Sequence, residues 1–292
     1  MKYLEEFLEF LKYQKNYSAH TEESYKEDIL DFLEFINKES IPILKVKYED
    51  IRFYLMELDK RKLKSSSIAR KISSLRSFYK YLLNNDTIKN NPFSLVKLPK
   101  KDKILPRFFY YNELEELFET PDLKTALGQR DRLILELLYA SGMRVSELIS
   151  VKLKDIGDRE IKVLGKGNKE RITRFGDYAK KALEQYLEDG YKTLNKKNSE
   201  YLFLNNNGEK ITTRGIQYIL DEIIKKTSID KKISPHMIRH SFATHLLNEG
   251  CNILSVQQLL GHSSLKATAI YTHVTTERLK EVYFNTHPRA KK

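Results

Sequence analysis

Apolar residues recur every three to four positions along most of this chain, the period of helices that bury one face. Over residues 1–90 that pattern predicts four helices. Tyr3, Leu4, Phe7, Leu8 and Leu11 share the first stripe; Tyr25, Ile29, Leu33 and Ile36 form the second, behind the cap candidates Ser18 and Thr21. Ile51, Tyr54, Leu55 and Leu58 make a third. The fourth helix starts at Ser65, a candidate cap, and buries Ile68, Ile72, Leu75, Tyr79 and Leu82. That leaves Ser66, Arg70, Ser73, Ser74 and Ser77 on its far side, where short hydroxyls beside a long cation allow close approach to a phosphate backbone.

The periodicity stops over 91–108, where Pro92, Pro99 and Pro106 stand among lysines and predict a semi-rigid basic linker. Residues 1–90 and 109–292 then form separate domains that could close around a duplex as a clamp. In the second domain Asn112 is placed to cap a helix through Phe118, and Ala126 to Tyr139 form a long apolar helix that Ser141-Gly142 ends. EIKVL, GKGNK and ERITRF alternate as strand, turn and strand, a hairpin whose tip carries Lys166; Tyr201 to Phe203 offer a further short strand. Helices resume at Thr213, at Ser234-Pro235 with serine as cap and proline in the first turn, and around Leu254, Lys266 and Glu277. The expected fold class is mainly α with a small β-hairpin: a four-helix domain followed by an α+β domain.

With 40% hydrophobic and 32% charged residues in 292, the chain has the composition of a globular protein with two real cores. No apolar run is long enough for a bilayer, and the acidic, amphipathic start MKYLEEFLEF is unlike a signal peptide, so the expectation is a cytoplasmic protein with no membrane partner. The single cysteine, Cys251, has no partner for an internal disulfide and reads as a small apolar helix residue. Charge adds more. Residues 1–50 sum to −5, residues 51–100 to +9 and the remainder to +8. Between 60 and 80, eight basic side chains occur without an acidic one, which nominates Lys64, Arg70, Lys71, Arg76 and Lys80 as DNA-binding residues.

The chemistry lies further on. Arg144 in LYASGMRVSEL, His236 and Arg239 in HMIRHSFATHLL, His262 in LLGHSS and Tyr271 in AIYTHV are equipment for phosphoryl transfer. Two arginines can fork onto phosphate oxygens, two imidazoles can exchange protons near neutrality, and a phenol can attack phosphorus to form an ester. Glu147, one turn after Arg144, fits a partner that orients the arginine better than it fits a base. His240 and His245 read as structural. HxxxH without an intervening glutamate, and with arginines nearby, does not make a zinc site, so no metal and no cofactor is expected.

Together with GKGNKER these segments follow the order and approximate spacing of the tyrosine recombinases, and the chain resembles that family over nearly its whole length. The tail LKEVYFNTHPRA is similar to that of the Xer branch, and YSAHTEESYKEDILDFLEF to the family's N-terminal, SAM-like core-binding domain. Met143 and Ile238 replace leucines expected beside the two arginines, changes of packing only. The resemblance implies a site-specific DNA recombinase with Tyr271 as nucleophile, a 3′-phosphotyrosyl intermediate and a Holliday junction, its expected duty being the resolution of chromosome or plasmid dimers. It implies that Arg144, Arg239 and His262 stabilise the phosphoryl oxygens, that His236 takes the tyrosine proton or binds an oxygen, and that Lys166, with Lys169 as its rival, protonates the leaving oxygen. The implied partners are a double-stranded recombination site and further copies forming a tetramer on two sites, alone or with a related recombinase or DNA translocase. Leu279, Val282 and Tyr283 in the tail are expected to dock on a neighbouring subunit. Other readings are a phage- or transposon-type integrase, a type IB topoisomerase-like strand transferase, and a DNA-binding protein without catalysis.

Overall fold

The computed structural model describes residues 1–15, 17, 19–97, 108–165, 170–261 and 282–290. It divides into two compact units, Met1–Ile104 and Leu105–Lys292.

In the first unit α1 (Lys2–Glu9) runs on through a wider turn at Phe10–Gln14, followed by α2 (Ala19–Lys38), α3 (Tyr48–Lys60) and α4 (Ser65–Asn84). Each buries the predicted stripe, and Phe7, Phe32, Tyr54, Phe78 and Tyr79 fill the middle with edge-to-face ring contacts. The core continues past residue 90: Phe93 and Val96 are buried in it, held by Arg76, whose Nε donates to the Phe93 carbonyl at 3.1 Å and Nη2 to that of Val96 at 2.5 Å. The start of the expected linker therefore belongs to the helical unit. Two details of α4 also differ. Its N-cap position is Lys64, with no side-chain cap bond, and Ser74 is buried, donating to Asp28 at 2.8 Å.

In the second unit α5 (Tyr111–Glu119) starts one residue before Asn112, and Glu113 rather than an asparagine satisfies its first N–H, that of Tyr110, at 2.8 Å. The next helix, α6 (Ala126–Ser141), is capped by Thr125 and buried on nearly every side, as its long apolar run requires. Gly142 ends it in the left-handed region at φ +57°, and α7 (Val145–Leu148) follows. Strands β1 (Glu160–Leu164) and β2 (Glu170–Arg174) pair antiparallel as the predicted hairpin. After them come α8 (Asp177–Gln185), a wider turn at Tyr186–Gly190 and α9 (Tyr191–Leu194), helical structure that the sequence pattern left unassigned. Tyr201 to Phe203 form no strand; Tyr201 makes a single bridge with Lys152, and Leu204 one with Lys210. Then come α10 (Thr213–Ile224), α11 (Pro235–Asn248), with Ser234 as its cap, and α12 (Ile253–Leu259). Cys251 is buried in the turn between α11 and α12 rather than in a helix.

The tail closes on its own unit. Residues 282–286 are helical, Tyr283 is 1% exposed, and Val282 packs against the same core. Arg289 pairs with the fully buried Glu136, and its guanidinium stacks 3.9 Å from the Tyr178 ring and 4.2 Å from Phe118. The apolar stripe at Val282 and Tyr283 thus finds cover at home in the single chain, where Arg289 joins Arg132 on the Glu136 carboxylate of α6; Leu279 lies outside the described residues. Among the described residues no helix is long and apolar enough to cross a membrane.

Candidate catalytic site and nucleic-acid interface

Gly142 fixes where the arginines meet. A Cβ there would lie 2.6 Å from the Phe242 ring and 2.9 Å from Leu260, so only glycine lets α11 and the end of α12 close against the end of α6. Two residues on, Arg144 occupies the N-cap position of α7. Arg239, on α11, reaches in from the other side and is 8% exposed. It donates to the Gly142 carbonyl and, at 2.7 Å, to that of Leu260. His236, one turn earlier on α11, is exposed.

Glu147 ties the site together. Its carboxylate, nearly inaccessible, accepts the Arg144 backbone N–H at 2.7 Å and Arg144 Nη1 at 2.9 Å. It also accepts Nη2 of Arg171 at 2.8 Å, a residue that sequence reasoning passed over. Burial alone would raise the Glu147 carboxyl, but the bonds from Arg171 and the Arg144 backbone outweigh it and hold it below the ordinary value. A signal for Arg171 was present. Strand alternation places it on the same face as buried Thr173 while Ile172 points outward, 49% exposed, and a cation on an inner face needs an acceptor.

The three arginines also share a turn. Arg171 donates to the Leu259 carbonyl at 2.9 Å, Arg239 to Leu260, and Arg144 to Gly261 at 3.4 Å. These consecutive carbonyls close α12, where a helix has unsatisfied acceptors and a partial negative charge that cations complement. Among the described residues, one carboxylate stands against three guanidinium groups. Burial and then the neighbouring Arg144 push the Arg239 guanidinium down to about 10, with Arg171 adding to the effect and Glu147 opposing it; it remains charged at neutral pH. Such a cluster holds positive charge in reserve for an anion such as a phosphodiester.

Lys166 and its rival Lys169, His262 and Tyr271 lie outside the described residues. The elements that lead to them are in place: β1 and β2 pair on either side of residues 166–169, and Gly261 immediately precedes His262. His245 is buried with Nδ1 2.8 Å from the Tyr139 hydroxyl, and His240 packs its ring near Phe108.

On α4 the basic run is partly neutralised from within. Arg70 pairs with Asp28 at 2.9 Å but keeps half its side chain exposed, whereas Lys71 is 12% exposed and binds Asp31 at 2.9 Å. Arg76 is committed to the Phe93 and Val96 carbonyls. Lys71 and Arg76 thus also hold the unit together, because α2 and the 93–96 turn supply the acceptors that the local sequence lacks. Ser66, Arg70, Ser73 and Lys80 stay exposed along one face of α4, with Lys64 exposed at its start.

Comparison with known proteins agrees with this layout. Residues 107–278 match the phage integrase family, and residues 4–86 match the phage integrase N-terminal SAM-like domain. The chain belongs to the phage integrase family. It is a Xer-type tyrosine recombinase, an enzyme of site-specific DNA recombination. It is 50% identical over 290 residues to tyrosine recombinase XerC of Anoxybacillus flavithermus, covering 97% of each chain. It is 47% identical over 288 residues to XerC of Staphylococcus haemolyticus, covering 98% of this chain and 97% of that one. The fold of this recombinase is shared with XerH bound to palindromic difH substrate in a post-cleavage complex, at a TM-score of 0.71 and 24% identity over 92% of this chain and 81% of that one.

Proposed function

We propose that this recombinase uses Tyr271 to attack a scissile phosphate, forming a 3′-phosphotyrosyl link and a free 5′-hydroxyl, and so resolves chromosome or plasmid dimers in the cytoplasm through a Holliday junction. The observation that supports this most is the convergence of Arg144 and Arg239 beside the turn that leads into His262, with one carboxylate for three guanidinium groups. In this reading the two arginines and His262 stabilise the charge that gathers on the phosphoryl oxygens, and Glu147 keeps Arg144 in place. His236 accepts the phenol proton or binds an oxygen, and Lys166 protonates the leaving 5′ oxygen. The ester keeps the energy of the broken bond, so rejoining needs no nucleotide. Four copies would act on two sites, alone or with a related recombinase or a translocase, the tail helix linking neighbours in that assembly.

A nicked suicide substrate tests the reading, since loss of the cleaved fragment traps the covalent complex. Tyr271→Phe should abolish the trapped product while leaving duplex affinity nearly unchanged, because one hydroxyl contributes little to a charge-driven interface. A Tyr271→Phe protein that still traps DNA overturns the assignment, and relaxation of supercoils without exchange between two duplexes would instead favour the topoisomerase-like reading.

A further inference from the structure

We propose that Arg171 is a positioning residue for cleavage, which locks the hairpin strand after the 166–169 tip to the carboxylate that holds Arg144 and to the turn that leads into His262. This rests on the reading of Arg144 and Arg239 as phosphate-binding groups.

The Arg171 guanidinium is divided among three places. Nη2 meets Glu147 Oε2 at 2.8 Å, Nε lies 3.5 Å from Oε1, and Nη1 donates to the Leu259 carbonyl at 2.9 Å. Its stem crosses the turn so closely that a Cβ on Gly261, at φ +64°, would sit 2.8 Å from Arg171 Cδ. The same Glu147 takes only one guanidinium nitrogen of Arg144, Nη1 at 2.9 Å. Arg171 thereby limits the grip of the carboxylate on Arg144. Without Arg171, the buried Glu147 would retain a single cationic partner and draw Arg144 into a two-pronged pair, turning its donors away from the scissile phosphate. The Leu259 carbonyl would also lose its donor, and β2 its tie to the turn before His262. Arg171 spends its donors on the protein, so it works through Arg144 and the turn and not by touching DNA.

The test is single-turnover cleavage by the full chain at saturating enzyme, on suicide substrates with an ordinary phosphate or a methylphosphonate at the scissile position. Methylphosphonate lacks one charged oxygen and so depends less on a well-placed arginine. Arg171→Ala should bind duplex within about twofold of the parent, since its loss removes no phosphate contact. It should cleave the ordinary substrate about 10–100-fold more slowly, the usual effect of removing a supporting partner. The deficit should shrink to a few-fold on methylphosphonate, and Arg171→Lys, which can still reach Glu147, should recover part of the rate. If Arg171→Ala proves too unstable to assay, Arg171→Gln, which fills more of the same space, removes the cation and keeps the Glu147 carboxylate, replaces it and should show the same shrinkage. Parental cleavage of the ordinary substrate, or an equal deficit on both substrates, overturns the proposal, the latter because general loosening does not distinguish them. Arg144→Ala runs alongside: if it too cleaves normally, the reading of the site fails, whereas an inactive Arg144→Ala beside a fully active Arg171→Ala sinks only this inference.

Discussion

Two clusters of cations occur in this recombinase, one between α2 and α4 and one between α6, α11 and the hairpin, and they are balanced differently. In the first, Arg61, Arg70 and Lys71 meet two carboxylates, Asp28 and Asp31, with Tyr54 and Ser74 completing the bonds. Burial alone would raise the Asp31 carboxyl, yet bonds from Tyr54, Lys71 and Arg61 hold it below its ordinary value. In the second, three arginines meet one carboxylate and a row of main-chain carbonyls, which accept hydrogen bonds but carry no net charge. The first arrangement holds helices together, and only the exposed halves of Arg61 and Arg70 are left to meet an anion. The second is left with excess positive charge at low exposure, where water screens it poorly and a phosphate gains most. Cations counted along a sequence are therefore a poor measure of charge available to a ligand.

The sharpest way to break this contrast is Arg239→Lys. An ammonium cannot replace a fork that reaches two carbonyls and, in the proposed role, a phosphate as well, so suicide-substrate cleavage should fall by about 10²–10³-fold with duplex affinity unchanged. An intact rate would mean that charge alone, as in the helical unit, suffices. The reverse probe is Asp28→Ala. It leaves Arg70, Lys71 and Ser74 without their shared acceptor and should cost about 3 kcal/mol, the lower end for breaking a buried pair, because Arg70 stays half in solvent. Urea unfolding followed by circular dichroism reads this directly, and a loss under about 0.5 kcal/mol, the size of an ordinary surface substitution, would refute the structural role of the cluster. The smallest effect separates cations on one helix. Lys80→Ala should flatten the log-log salt dependence of duplex binding by up to about one unit and Lys71→Ala by far less, since each released counterion needs a phosphate contact. Equal slopes for the two variants would return Lys71 to the DNA face.

The sequence carried much of this. The helices of the first unit, the hairpin, the break at Gly142 and the Ser234 cap were all legible, because apolar period, turn residues and capping chemistry are local signals. Arg144, Arg239 and Glu147 were legible as a group through motif spacing. Pairings across long separations were not. Nothing near Lys71 predicts an acidic partner forty residues earlier on α2, and nothing near Tyr283 predicts the pocket beneath α6 where Glu136 awaits Arg289. The helix at Asp177–Gln185 was legible and passed over: Ala179, Ala182 and Leu183 recur at helical spacing, and Tyr186 continues the same stripe. Arg171, like the long-range pairings, was missed because its meaning lies in the two elements it ties to its own strand, α7 and the end of α12, and neither adjoins it in sequence.

The home-docked tail also bears on reactivity. Tyr271 stands ten residues after Gly261, whose carbonyl is bound by Arg144, and eleven before Val282, which packs into the same unit. Ten residues reach at most about 35 Å, so in the single chain, before any exchange of tails between copies, the proposed nucleophile is leashed at both ends to its own unit. Its supply at the phosphate is then an effective concentration, on the order of millimolar for a short tether, whatever the number of enzyme molecules present. Such a leash also keeps the spent tyrosine, once esterified, beside the arginines that would help to reverse the step.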